Sequence, residues 1–277
     1  MTSTTTHTAQ RLELAGMIAD SYGTDDHRPP LVLLHGQSFD RRLWQPVLRE
    51  LFEIDPGRRV VNLDLPGYGE SPARMPHTNR HLLDLLRQAV DEAGMTAPVI
   101  VGHSSSGGLA MMYAATHPSS GAVDVDAVPT DLEPLARNLQ SLEPQIAGDA
   151  LQQVWAGVVE SFELDLLDPH ARAAVLDNME LRPETLRSYW HELIYGDPSE
   201  LSRLLEDIAH GIAAAGVQVL LVAGRDPGPG MSDLFGAAQA QVTVEAWAGS
   251  GHFPHLAHPA RFAKRLAATA AWRAGAR

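Results

Sequence analysis

The chain has 277 residues, a formal net charge of −13, 44% hydrophobic residues and no cysteine. That length holds one large α/β domain or a domain carrying a sizeable insertion. The acidic balance offers no basic face to a nucleic-acid backbone or an anionic membrane, and the lack of cysteine excludes disulfides, thiolate metal sites and a cysteine nucleophile.

The first residues, Met1-Thr2-Ser3-Thr4-Thr5-Thr6-His7-Thr8, are polar and lack the charged start and apolar centre of a secretory signal. No apolar run reaches the length of a membrane span. A soluble, cytoplasmic protein is expected, with a small molecule as its partner and neither nucleic acid nor membrane. The oligomeric state is open, a homodimer included.

Short β-type runs alternate with longer helical patterns, the signature of a mainly parallel sheet covered by helices on both faces. Strands are expected over residues 12–18, 31–34, 59–63, 98–101, 122–125, 217–222 and 241–246. Helices are expected over 41–51, 79–93, 105–116 and 259–274. From 129 to 216 the alternation stops. Helical spacing then recurs over 132–142, 145–162, 169–179, 183–195 and 200–215, which reads as an inserted helical cap. Trp155, Phe162, Tyr189, Trp190 and Tyr195 give it aromatic residues that can line a pocket over the sheet.

Within this frame, Gly102-His103-Ser104-Ser105-Ser106-Gly107 joins the strand at 98–101 to a helix of small residues. A serine on a sharp strand-to-helix turn is how a hydroxyl is pushed out of a sheet as a nucleophile, and such a turn needs small residues two before and two after its centre. Ser104 has Gly102 and Ser106 there; Ser105 would have His103, and Ser106 lies well past the strand end. Ser106 stands where glycine is usual.

Upstream, the buried run 31–34 ends in His35-Gly36-Gln37, and the Gln37 N–H with the Ser105 N–H would make a two-donor oxyanion hole. Asp64 to Ser71 forms a glycine-punctuated loop that reads as a structural turn. Near the end, Gly249-Ser250-Gly251-His252-Phe253-Pro254-His255-Leu256 follows the last strand, and a histidine in such a loop can reach across to Ser104. A metal held by His252, His255 and His258 is not expected, because their spacing is not the i, i+4 of a helix and no carboxylate supports them.

On four of these motifs, in this order, the chain resembles the α/β-hydrolase superfamily: His35-Gly36 with Trp44 downstream, Asp64 to Ser71, the Ser104 turn, and Gly251-His252-Phe253-Pro254. The resemblance implies a twisted, mainly parallel sheet flanked by helices. Residues 1–128 and 217–277 would form that core and 129–216 the all-helical cap. It further implies that Ser104 is the nucleophile and His252 its general base, that no cofactor is needed, and that His35, Gly36, Trp155 and Trp190 border the substrate.

The acid departs from the common pattern. Members usually carry it three residues after a strand-ending glycine, whereas Gly224-Arg225-Asp226-Pro227 has Asp226 two residues on. A second group, which the haloalkane dehalogenases exemplify in part, places it after the strand preceding the cap, where Asp126 stands. Asp126 and Asp226 are equal candidates, and Asp124 is expected on the opposite strand face. The reaction expected is acyl transfer from a small, largely apolar ester, thioester or lactone. Cleavage of an activated carbon–carbon bond, perhydrolysis, a step in specialised metabolism, and a binding protein that has lost catalysis are the alternatives.

Overall fold

The computed structural model describes residues 8–127, 132–228 and 235–275. Its sheet has eight strands: β1 (Gln10–Leu14), β2 (Met17–Tyr22), β3 (Leu31–Leu34), β4 (Val60–Leu63), β5 (Val99–His103), β6 (Gly121–Val125), β7 (Gln218–Ala223) and β8 (Val242–Ala246). They lie in the order β1-β2-β4-β3-β5-β6-β7-β8. The β1–β2 and β2–β4 pairs are antiparallel and all others parallel. Every residue of β3 to β6 is buried, as apolar runs covered on both faces require.

The single strand expected over 12–18 is a hairpin. Ala15 (φ 49°) and Gly16 (φ 71°) turn the chain with two successive left-handed residues, the geometry that matches the twist of paired strands. The Ala15 N–H donates to Glu92 Oε2 at 2.6 Å, a tertiary partner that sequence spacing does not reveal.

Helices α1 (Gln45–Ile54), α2 (Asn79–Glu92) and α3 (Ser105–Thr116) alternate with the first strands. Between β6 and β7 the described chain carries α4 (Leu132–Ser141), α5 (Glu143–Ala147), α6 (Leu151–Glu160), α7 (Pro169–Asn178), α8 (Pro183–Tyr189), α9 (His191–Tyr195) and α10 (Pro198–Ala215). After β8 come α11 (Pro254–Ala257) and α12 (Pro259–Ala268). Two long helices expected from spacing are each broken. Gly148 ends α5, where Arg187 takes up the carbonyls of Ile146 and Gly148, and Trp190 separates α8 from α9. The last helix stops at Ala268, short of residue 274, in a 3₁₀ turn.

Leu85 of α2, Leu109 of α3 and Ile212 of α10 pack on one face of the sheet, while Leu48 of α1 and Phe262 of α12 pack on the other. A third apolar cluster joins helices α4 through α9 to Phe39, Leu43 and Phe253 of the core loops, whereas α10 belongs to the sheet-face cluster. Polar ties fasten the same helices over the strand ends: Arg182 donates to the carbonyls of Gly67 and Gly69, and Tyr189 Oη to that of Pro66. None of the described helices is long and apolar enough to cross a membrane.

The loop at 64–71 is built around a buried charge. Asp64, fully buried, accepts from the N–H groups of Arg41 and Glu70, each at 2.8 Å, and pairs with the Arg41 guanidinium. Arg41 also reaches Asp20 and Glu70. Removing one partner of a buried pair leaves the other charge uncompensated. Arg41→Met is therefore expected to lower stability by about 3 kcal/mol, measured as a reduced urea midpoint at unchanged slope.

Candidate active site

At the end of β5 the backbone enters α3 through Ser104, at φ 55° and ψ −136°. A non-glycine residue there is strained and persists only where its surroundings fix it. A Cβ on Gly102 would lie 2.0 Å from the Ser106 carbonyl oxygen, and one on Gly36 would lie 3.1 Å from Ser104 Cβ. The Ser104 N–H donates to Val125 O at 2.9 Å, which ties the turn to β6. Ser106, in the place usual for glycine, is buried and donates its hydroxyl to His35 O at 2.6 Å. Its side chain thus cross-links the turn to the end of β3.

His252 Nδ1 lies 2.8 Å from Asp126 Oδ2. Asp126 sits just past β6 at φ 53°, and its Oδ1 accepts from the Gly224 N–H at 2.8 Å. Burial raises the Asp126 carboxyl, but the bond to His252, the nearby imidazole charge and the Gly224 N–H outweigh it and hold the group below the usual carboxylate range. The His252 ring lies flat on Phe162, centroids 4.7 Å apart at 9°. The backbone N–H of His252 donates to Phe162 O at 3.1 Å, and its carbonyl accepts from His103 Nε2 at 3.0 Å.

Asp226, the rival candidate, is exposed, and its Oδ1 accepts from the Gly228 N–H at 2.9 Å. Among the described residues no hydrogen bond joins it to His252. With two residues after Gly224 in place of three, the carboxylate closes its own turn. Asp124 is also displaced from expectation. Residues two apart share a strand face, so Asp124 and Asp126 lie on the side opposite Val123 and Val125, and both border one cavity. The left-handed backbone at Asp126 turns its carboxylate toward His252.

The N–H groups of Gln37 and Ser105 have no acceptor among the described residues, and both residues border that cavity with Ser104 and His252. His35 and Gly36 do not border it. His35 is buried: its Nε2 accepts from the Leu65 N–H at 2.9 Å and its Nδ1 donates to Gly36 O at 2.7 Å. Gly36 sits beneath Ser104, where a side chain would collide with the turn. Both are scaffolding for the turn.

The cavity measures about 1160 Å³. Trp155, Phe162, Tyr189 and Trp190 contribute to its wall, and Trp190 Nε1 donates to Gln37 Oε1 at 2.7 Å. Tyr195 points elsewhere, 59% exposed, with its hydroxyl on Glu143. The sequence reading missed His77, buried beneath Tyr189 with ring centroids 4.4 Å apart, and Met112 and Leu205 from α3 and α10, which complete the wall. The apolar spacing of those two helices carried the only signal, and it reads equally as ordinary core.

Three histidines of this region are held neutral chiefly by burial. His77 is lowered to about 4, His103 to about 3 and His255 well below its ordinary value. Each takes up a proton near pH 6.5 once unfolded, so the unfolded chain binds more protons and stability falls as pH drops from about 6.5 toward 4. Each is expected to contribute a slope of about 1.4 kcal/mol per pH unit once its unfolded form is fully protonated. Chemical denaturation at stepped pH measures it, and His103→Gln should remove about one proton from the linkage.

The sequence profile of the alpha/beta hydrolase family matches residues 31–265. A dihydrolipoyllysine-residue acetyltransferase component of an acetoin cleaving system from Cupriavidus necator is 28% identical over 82% of this chain and 59% of its own length. Protein ABHD14A of Danio rerio is 34% identical over 32% of this chain and 34% of its own length. The chain therefore spans between about a third and three fifths of these two relatives. Among solved structures, an AqdC variant described as recognising and cleaving the ring of the Pseudomonas quinolone signal superposes with a TM-score of 0.73 at 17% identity, covering 95% of this chain and 99% of that one. An esterase from Thermogutta terrifontis gives a TM-score of 0.68 at 18% identity, covering 93% and 97%. With most of its length matched by the family profile and its sheet and helices shared with these structures, the chain belongs to the alpha/beta hydrolase family.

Proposed function

We propose that the protein is a cofactor-free serine hydrolase that cleaves a small, largely apolar ester, thioester or lactone through an acyl-enzyme. One observation carries the reading: a strained serine and a carboxylate-bound imidazole border the same cavity. In this scheme Asp126 fixes the tautomer of His252, leaving Nε2 free to take the Ser104 proton as Oγ attacks the substrate carbonyl. The negative oxygen of the tetrahedral intermediate is met by the N–H groups of Gln37 and Ser105, which have no acceptor among the described residues. His252 then protonates the leaving alcohol or thiol, and the acyl group stays on Ser104. Water, deprotonated by the same imidazole, attacks the acyl-enzyme, and the acid departs as Ser104 recovers its proton. Trp155 and Trp190 bound the space for the acyl chain or leaving group.

Cleavage of an activated carbon–carbon bond on the same residues is the second reading. The aromatic wall, able to stack a flat ring, and the likeness to the quinolone-cleaving protein favour it. Turnover of the quinolone signal without turnover of simple esters would decide for it.

A fluorophosphonate probe is expected to label Ser104 and neither Ser105 nor Ser106, with peptide mass spectrometry locating the adduct. Ser104→Ala should lower ester turnover by several orders of magnitude without loss of fold. Asp126→Asn should lower it by a factor on the order of 10⁴, whereas Asp226→Asn should retain most activity. Absence of both labelling and turnover across ester, thioester and lactone substrates would return the chain to a binding role.

A further inference from the structure

Asp124 lies at the floor of the cavity, 2% exposed, in register with Gly102 of β5 and Leu221 of β7. Room for its carboxyl comes from Gly107 of α3, where a Cβ would stand 2.2 Å from Asp124 Oδ1. That oxygen accepts from the Ala127 N–H at 3.0 Å. The other makes no hydrogen bond among the described residues. Among the described residues the other carboxylates of the cavity wall are engaged: Asp126 by His252, Glu192 by the Asn79 N–H at 2.7 Å, and Asp226 by the Gly228 N–H. The cation of the wall, Arg225, is paired with Glu163.

We propose that the Asp124 carboxyl is a recognition site for a positively charged nitrogen on the acyl chain of the substrate. The proposal rests on the hydrolase reading only in calling that chain acyl. Apolar side chains, among them Leu109, Met112, Leu205 and Leu221, share the wall, so an ion pair formed there is little screened by water. Burial first, and then repulsion by Asp126, push the Asp124 carboxyl up to about 8 against the Ala127 N–H. An ammonium group supplies a counter-charge and a donor for the oxygen that has no partner among the described residues. Capping the Ala127 N–H needs an acceptor only, which asparagine would provide equally well, so no contact among the described residues requires an ionisable group there. Strand geometry sets the Cα atoms of Ser104 and Asp124 about 8 Å apart, a span for a short chain.

Calorimetric titration of the whole protein with n-hexylammonium and with 1-hexanol, in high salt to screen the surface charge, tests the site without requiring turnover. The wild type is expected to bind the ammonium at least about tenfold more tightly than the alcohol. Asp124→Asn should abolish that preference and leave the affinity for 1-hexanol unchanged. Equal affinities in the wild type, or a preference that survives Asp124→Asn, would overturn the proposal. Equal affinities in the wild type overturn the proposal whether or not the variant folds, and labelling of Ser104 reports separately on the hydrolase reading.

Discussion

Between β5 and α3 the backbone turns through a left-handed residue that carries a side chain, and the turn holds because side-chain atoms are absent around it. Gly102 leaves space for the Ser106 carbonyl and Gly36 for Ser104 itself, while Gly107 leaves space for the Asp124 carboxyl. A residue in such a region costs about 1–3 kcal/mol, sustained only by surroundings that over-determine it. Here the Ser104 N–H is held by Val125 and the Ser106 hydroxyl by His35, so the strands on either side of β5 fix the turn together. The placement of the Ser104 hydroxyl is thus a property of three adjacent strands more than of the hexapeptide.

The imidazole opposite is oriented by packing as much as by hydrogen bonds. His252 stacks on Phe162 with ring centroids 4.7 Å apart and has His103 tilted against it at 4.8 Å, and His255 is tilted against His103 in turn. Burial keeps His103 and His255 uncharged, so the three rings sit close without mutual repulsion. Asp126 fixes the direction of the ring from its edge.

Much of this was legible from the amino-acid order. Apolar runs ending in chemically distinctive turns located β3 to β8, and the small-residue rule selected Ser104 from three neighbouring serines. What escaped depended on long-range partners. The hairpin at Ala15-Gly16 lay hidden in one apolar run because its turn is held by Glu92, 77 residues away. Asp126 and Asp226 could not be ranked, since the choice turns on where the His252 loop lies relative to two strand ends. His35 and Gly36 carry a motif associated with substrate, yet their work is steric and structural, and only the closeness of Gly36 to Ser104 reveals it. The breaks at Gly148 and Trp190 interrupt helical spacing that is otherwise unbroken, so periodicity alone joins what the caps divide.

Gln37 serves two regions at once: it borders the cavity with Ser104, and its side-chain oxygen holds the indole of Trp190. Any occupant large enough to displace that indole strips a donor from a partly buried amide oxygen, a loss on the order of 1–3 kcal/mol when nothing replaces it. Molecules bearing an N–H or O–H at the matching position can take over the vacated bond, while purely hydrocarbon ones of equal bulk cannot. Discrimination by size at the aromatic wall is therefore also discrimination by polarity.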